Sequence, residues 1–243
     1  MRTMILVLAL ALAPSLSGAH EPGKREPATM TVSASGTVAA SPDTAFVSFG
    51  VETAGKSLAE AQRQNGAAMQ RVMDRLRDLK IDKERIQTTS FNVTPQYRPP
   101  SKRTADLPPS APEIIGYTVS NQLSVEVREL EKVAAVIEES LAAGANHFQG
   151  LQWALRDEQP KRLSALQSAA AKAREKAAAL SQALKVTLVR VLTVSEGGHV
   201  VRPAPYMGRA MAAMEGVAAD VPVSSGELKV EATVTLIYEI APE

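Results

Sequence analysis

Alternating apolar and polar residues predict strands at both ends of the chain. Apolar or small side chains occupy every second position over residues 30–38, and a second run over residues 45–51 follows Pro42 and Asp43. The last predicted strand, over residues 228–240, is apolar on one face and charged or hydroxylated on the other. Because it spans roughly 45 Å, we expect it to have edge positions that one lobe leaves unpaired.

Between these strands, helical and extended periods alternate. Ser57 and Glu60 have the spacing of a capping box, in which the serine hydroxyl accepts from the Glu60 amide and the glutamate reaches the Ser57 amide. An amphipathic helix follows over residues 58–79. Further elements are predicted as strands over residues 86–97, 115–127 and 148–155 and a helix over 129–143 that ends at Gly144. Residues 45–155 thus have the β-α-β-β-α-β order of a ferredoxin-like sheet.

An alanine-rich helix is predicted over residues 160–184. Its apolar stripe repeats at three- and four-residue spacing, through Leu163, Leu166, Ala170, Ala173, Ala177, Leu180 and Leu184. Such a stripe packs either on a partner helix, as in a coiled coil, or on the protein's own sheet, and the second is favoured. Residues 188–194 are almost continuously apolar, which predicts a strand covered on both faces.

The elements together follow the order β-β-α-β-β-α-β-α-β-β, which predicts an α+β protein with mostly antiparallel sheets. Prolines predict a long loop over residues 95–113, and a methionine-rich loop is predicted over residues 196–226. We expect the folded domain over residues 28–241, either as one unit or as two lobes, about 84–155 and the remainder.

The first nineteen residues have the pattern of a cleaved signal peptide. Arg2 precedes an apolar run over residues 4–13, and small residues stand at Ser17 and Ala19. The run is shorter than the roughly 20 residues of a membrane-spanning helix. The sequence therefore predicts export to the bacterial periplasm, with a mature chain that begins at His20 and a polar linker over residues 20–27.

Composition narrows the function classes. Removal of Arg2 leaves equal numbers of basic and acidic side chains, and no basic face argues for nucleic acid. The chain has no cysteine, which excludes disulfides and thiol chemistry. Its histidines, His20, His147 and His199, lack the spacing of a zinc site, and no G-x-S-x-G occurs. We expect no enzymatic activity and no cofactor.

The residues most able to bind a metal or react are three methionines, Met207, Met211 and Met214, with His199 and Tyr206 nearby. Thioethers are soft ligands that hold Cu(I), and their reversible oxidation could also consume oxidants. The same spacing places the three methionines on one stripe of a short helix, as an adaptable contact surface. The contact surface is the favoured interpretation, and the weak metal candidates are Met207, Met211, Met214 and His199.

An ordered series of residues resembles the SIMPL-domain family of bacterial envelope proteins, which includes the periplasmic immunogenic and oxidative-stress defence groups. The series covers residues 28–240 and consists of Gly36, Pro42-Asp43, Ala45, Val51, Asn65, Ile86-Gln87-Thr88, Pro95, Tyr97, Gly116-Tyr117, Val125–Arg128, Gly144-Ala145, Ala171–Ala173 and Gly226-Glu227. The resemblance implies a periplasmic or outer-membrane-associated protein without established catalytic residues, linked to stress tolerance. It also implies large homo-oligomers in some members.

Two functions follow as hypotheses. The first is a non-enzymatic periplasmic protein that forms a homo-oligomer through edge strands and the alanine-rich helix, and that protects the envelope under envelope or oxidative stress. The alternative is a periplasmic module that binds a soft metal such as copper, or a small ligand, through the methionine-rich loop.

Overall fold

The computed structural model describes residues 27–99, 113–198, 200–203 and 223–243. The helices and strands of these ranges are β1 (Thr29–Ala40), β2 (Thr44–Gly55), α1 (Leu58–Asp78), β3 (Ile86–Tyr97), β4 (Ile114–Val127), α2 (Val133–Ala143), β5 (His147–Ala154), α3 (Gln159–Leu184), β6 (Val186–Glu196), β7 (Val200–Pro203) and β8 (Leu228–Pro242). All strand pairs are antiparallel, which confirms the predicted α+β class. The predicted signal peptide and most of the predicted linker lie outside the described residues.

The first sheet has the strand order β3-β4-β2-β5. Together with α1 and α2 it forms the ferredoxin-like arrangement that was predicted over residues 45–155, and we call it the ferredoxin-like sheet. Both helices pack on one face, where α1 contacts β2 and β4 and α2 contacts β2 and α1. The core between them is built from large side chains, among which Phe49, Val72 and Leu76 are almost fully buried. Burial of such side chains stabilises this sheet by about 1.5–3 kcal/mol for each.

The predicted start of α1 and the predicted end of α2 are both present. Ser57 Oγ accepts from the Glu60 amide at 3.3 Å, as predicted for the capping box. The Glu60 carboxylate, however, accepts from the Lys56 amide at 3.2 Å and not from the Ser57 amide, so that part of the prediction is wrong by one residue. Gly144 ends α2 with a left-handed φ of 119°, a conformation that glycine adopts without a steric penalty.

The second sheet, which we call the terminal sheet, is formed by β1, β8 and β6, with β7 beside β8. β1 pairs with one edge of β8 over residues 228–239, whereas β7 and β6 share its other edge, over residues 228–231 and 234–242. The expectation of unpaired edge on the final strand is therefore wrong, because three strands cover it. The short β7 lies within the region that was predicted as a loop.

α3 lies on β1 and β8, as the favoured interpretation held. Its predicted stripe is partly wrong: Leu163, Leu180 and Leu184 are exposed. The buried face consists of alanines alone, at positions 165, 169, 173 and 177. A Cβ at Gly36 of β1 would lie 2.1 Å from the Ala165 carbonyl oxygen, so the helix backbone rests directly on the strand. Only small side chains fit such a close approach, which is why the leucines face away.

Two short segments of chain, residues 41–43 and 155–158, connect the two sheets. They are held together by Asp43, whose carboxylate accepts from the Arg156 amide at 2.8 Å and lies 3.5 Å from the Arg156 guanidinium. The Asp43 amide donates to the Ala154 carbonyl at 3.2 Å. The sheets thus divide the chain into residues 44–154 and the residues on either side. Among the described residues, no helix is long and apolar enough to cross a membrane.

Candidate association groove

β6 is the strand that α3 leaves uncovered. Most of its residues are exposed, including Val194 with 66% and Val191 with 43% of its surface accessible. The predicted strand covered on both faces is therefore wrong. A continuous apolar run is typical of burial, but here one helix lies mainly over β1 and β8 and contacts the third strand much less.

Two register shifts in β6 concentrate apolar side chains on the face that carries α3. Leu188, Val191 and Val194 stand opposite Ile240, Tyr238 and Leu236, all of which point toward α3. The residues at positions 189 and 192 are extra in this pairing, as in β-bulges. Without the bulges, Val191 would face away from Leu188, because strand side chains alternate.

An open groove of about 710 Å³ results between α3 and β6. Leu166 and Ala170 form its helix wall, and β6 forms the opposite wall. The floor is apolar as well and comes from β8, through Val234, Leu236 and Tyr238. We call this surface the α3–β6 groove. Its size falls in the range of ligand and contact pockets.

Charged residues occupy the rim of the groove and not its floor. Glu196, at the end of β6, forms an ion pair with Arg162 of α3, which ties the strand end to the helix. Arg190 pairs with Glu239 at 2.7 Å across the opposite face of the sheet. The arrangement is one of apolar contact with a polar border, as at protein interfaces, and offers no converging acid and base.

The other edge of the terminal sheet is protected. Lys172 and Lys176 of α3 reach over β1 and donate to the carbonyl oxygens of Ser35 and Ser33, at 3.4 and 3.1 Å. Lysines at an edge strand hinder the pairing of another chain. The terminal sheet therefore presents one guarded edge, at β1, and one apolar edge, at β6.

The metal candidates from the sequence, Met207, Met211, Met214 and His199, lie outside the described residues, as does Tyr206. His147 is described and exposed at the start of β5. In the described ranges, no group of three or more histidine, aspartate or glutamate residues could hold a metal ion. The metal interpretation stays a prediction from the sequence.

Two residues of the family resemblance have structural roles. Gly36 permits the close approach of α3. Asn65, which is 1% exposed in α1, donates from Nδ2 to the carbonyls of Val51 and Val119, at 2.8 and 3.1 Å. It thereby joins the helix to the two central strands. Both residues stabilise the fold, and neither lines the α3–β6 groove.

A further ion pair closes the described ends of the β3–β4 hairpin. Arg98 binds both carboxylate oxygens of Glu113, at 2.8 and 3.2 Å. This hydrogen bonding, aided by the positive charge, lowers the pKa of Glu113 below its ordinary value. The pKa of Arg98 is raised by the same contact. Both side chains are exposed, and the pair joins β3 to β4 at the border of the described residues.

The α3–β6 groove was not predicted. Its signal in the sequence is the three-residue spacing of Leu188, Val191 and Val194, which does not fit the two-residue period of a regular strand. The groove was missed because residues 188–194 were predicted to be a strand covered on both faces.

Comparison with known proteins supplies the remaining findings. The SIMPL family model, described as a protein of unknown function (DUF541), matches residues 30–238. The 26 kDa periplasmic immunogenic protein of Brucella melitensis is 33% identical over 219 residues, which cover 88% of this chain and 86% of that protein. The 26 kDa periplasmic immunogenic protein of Brucella abortus matches to the same extent. These similarities extend over both sheets.

Proposed function

Because the chain belongs to the SIMPL family, we propose that it is a non-enzymatic periplasmic protein that acts by associating with further copies of itself. Two observations support the location. Both Brucella relatives are named periplasmic proteins, and the first nineteen residues have the pattern of a cleaved signal peptide.

The observation that carries the association is the exposed strand β6 with its groove. An apolar edge strand is costly for a protein that stays alone, because it exposes apolar surface and unpaired backbone groups to water. β6 exposes Val189, Val191, Leu192 and Val194 together. Association would remove this surface from water at about 25 cal/mol for each Å².

The role of the assembly is envelope protection under envelope or oxidative stress, with association at the outer membrane as one form of it. The family resemblance supports this part of the proposal. A deletion strain that tolerates peroxide and detergent as well as its parent would contradict it.

Light scattering coupled to size-exclusion chromatography tests the association. We expect the mature chain from His20 to have several times the mass of one chain. Val191→Lys should at least halve this mass, because a charge enters the apolar contact. Val93→Lys is the matched control, since Val93 lies on the edge strand β3 with a similar exposure of 38%. A monomeric wild-type chain would contradict the proposal.

The soft-metal alternative rests on the spacing of Met207, Met211 and Met214. Thioether ligands favour Cu(I) over harder ions. A Cu(I) titration of the mature chain without saturable binding would remove this alternative, and saturable binding that Met→Leu substitution abolishes would favour it.

A further inference from the structure

The free backbone edge of β6 can pair with a further strand. Within the described part of the chain, β6 pairs only with β8, so its other edge carries unpaired amide and carbonyl groups. The other outer strands differ: β1 is guarded by Lys172 and Lys176, and β3 carries Pro95, which donates no backbone hydrogen bond. The edge strand β5 has neither device, but it is only eight residues long, against eleven for β6. β6 contains no proline and no lysine.

The pattern of β6 reads the same in both directions. The positions that face α3 are Val186, Leu188, Val191, Val194 and Glu196, as their partners on β8 indicate. Reversal of the strand about Val191 exchanges 186 with 196 and 188 with 194, and leaves 191 in place. In an antiparallel pair, residues directly opposite each other point to the same face. A reversed copy of β6 therefore places Leu188 opposite Val194 and Val191 opposite Val191, with Glu196 opposite Val186 only at the ends of the strand.

The ends of the strand are complementary in charge. In the reversed pairing, Glu196 of one copy lies beside Lys185 of the other, which is exposed just before β6. Glu196 also binds Arg162 of its own helix. Each end of the paired strands would therefore carry one carboxylate between two cations, which favours this direction of pairing over a parallel one.

From this symmetry we propose that β6 pairs antiparallel with β6 of a second copy, about a two-fold axis at Val191. This inference rests on the proposed self-association and names its contact. The two terminal sheets become one continuous sheet, and the two α3–β6 grooves join into one apolar channel between the two α3 helices. A two-fold contact of this kind is self-complementary, because the same surface serves both copies.

The absence of cysteine in the chain allows a direct test. In the proposed register, the two Val191 Cα atoms lie about 4.5–5.5 Å apart, which is within the range of a disulfide. Val191→Cys in the mature chain, oxidised with diamide, should shift to twice the chain mass on a non-reducing gel. Ser195→Cys is the matched control on the same strand, because its two copies would lie about 26 Å apart.

A mixture of two variants tests the register. Thr187 of one copy stands opposite Ser195 of the other when the strands reverse about Val191. Thr187→Cys and Ser195→Cys should therefore form a mixed disulfide together, with roughly tenfold more dimer than either variant forms alone.

The outcomes separate the contact from the association. A multimer by light scattering in which Val191→Cys forms no more disulfide than Ser195→Cys would overturn the β6 pairing and leave the association standing. That result would also follow if another segment of the same chain covered β6. A monomeric wild-type chain would overturn both proposals.

Discussion

The two sheets of this protein are covered by helices in different ways. The ferredoxin-like sheet carries two helices and a core of large side chains, with Phe49 and Leu76 fully covered. The terminal sheet carries one helix, which touches it through alanines. The first sheet therefore buries its two central strands in a core of large side chains, whereas the second is covered by a close helix–strand contact. In both sheets an edge strand stays largely exposed, β3 in the first and β6 in the second.

The difference follows from dimensions. A helix with its side chains is about 10 Å wide, and neighbouring strands lie about 4.8 Å apart, so one helix covers about two strands. α3 covers β1 and β8, and the close approach at Gly36 holds it there. A third strand on the same sheet stays exposed unless something else covers it. The position of α3 over β1 and β8 thus leaves β6 largely uncovered, and the groove lies between the helix and this strand.

The largest effect is expected where helix and sheet touch through backbone. Gly36→Ala would place a Cβ 2.1 Å from the Ala165 carbonyl oxygen and 2.5 Å from the Ala169 nitrogen. Neither atom can move without the helix, so we expect a loss of more than about 3 kcal/mol in the free energy of unfolding, the upper end of ordinary overpacking. Urea denaturation measures it.

Gly66→Ala is the matched control, because the same methyl group meets nothing within 4 Å on exposed α1. Alanine stabilises a helix interior by about 0.5–1 kcal/mol relative to glycine. A Gly36→Ala protein as stable as Gly66→Ala would contradict the close-approach account of the terminal sheet.

The second effect compares the same substitution on two helices. Leu76→Ala should cost about 3 kcal/mol, because Leu76 is fully buried in the ferredoxin-like core. Leu163→Ala should change stability by less than about 0.5 kcal/mol, since Leu163 is 57% exposed on α3. Thermal or urea unfolding of both variants decides it, and equal losses would show that α3 packs through its leucines.

A smaller effect is expected for the polar link in the ferredoxin-like core. Asn65→Ala leaves the buried carbonyls of Val51 and Val119 without their donor, which should cost about 2 kcal/mol. Gln64→Ala removes an exposed neighbouring amide and serves as the control. If the two variants unfold at the same urea concentration, Asn65 does not stabilise the sheet.

The smallest effect concerns the pH response of the β3–β4 hairpin. Arg98 lowers the pKa of Glu113, so the pair stabilises the hairpin above the ordinary glutamate pKa and is lost as pH falls through the folded value. Glu113→Gln should remove this acid transition in the NMR shifts of Arg98 and its neighbours, while the terminal sheet stays unchanged. A titration of Glu113 at the ordinary value would contradict the ion pair.

Much of the ferredoxin-like sheet could be predicted from the sequence, because its signals are local. The Ser57 cap, the glycine at 144 and the strand alternation each depend on residues within a few positions of one another. The α3 contact could not be predicted in the same way. A search for apolar periodicity in the sequence gives most weight to leucines. The contact between α3 and the terminal sheet instead buries alanines, because only small side chains fit there.

The candidate site was missed for a related reason. An apolar run such as residues 188–194 has the same pattern in a covered strand and in one that awaits a partner. The two cases are distinguished by where the helices lie on the sheet, and here α3 lies mainly over β1 and β8. The bulges that turn Leu188, Val191 and Val194 to one face likewise depend on β8, which follows much later in the chain.

The sequence by itself determined the elements other than β7, their order and the ferredoxin-like arrangement, because period, capping and chain order act between near neighbours. The tertiary structure alone decided which face of α3 is buried, that β7 and β6 complete the edge of β8, and which strand remains uncovered. These outcomes depend on contacts between residues far apart in the chain, such as Gly36 with Ala165. Such contacts are decided by whether the side chains fit the space between the packed backbones.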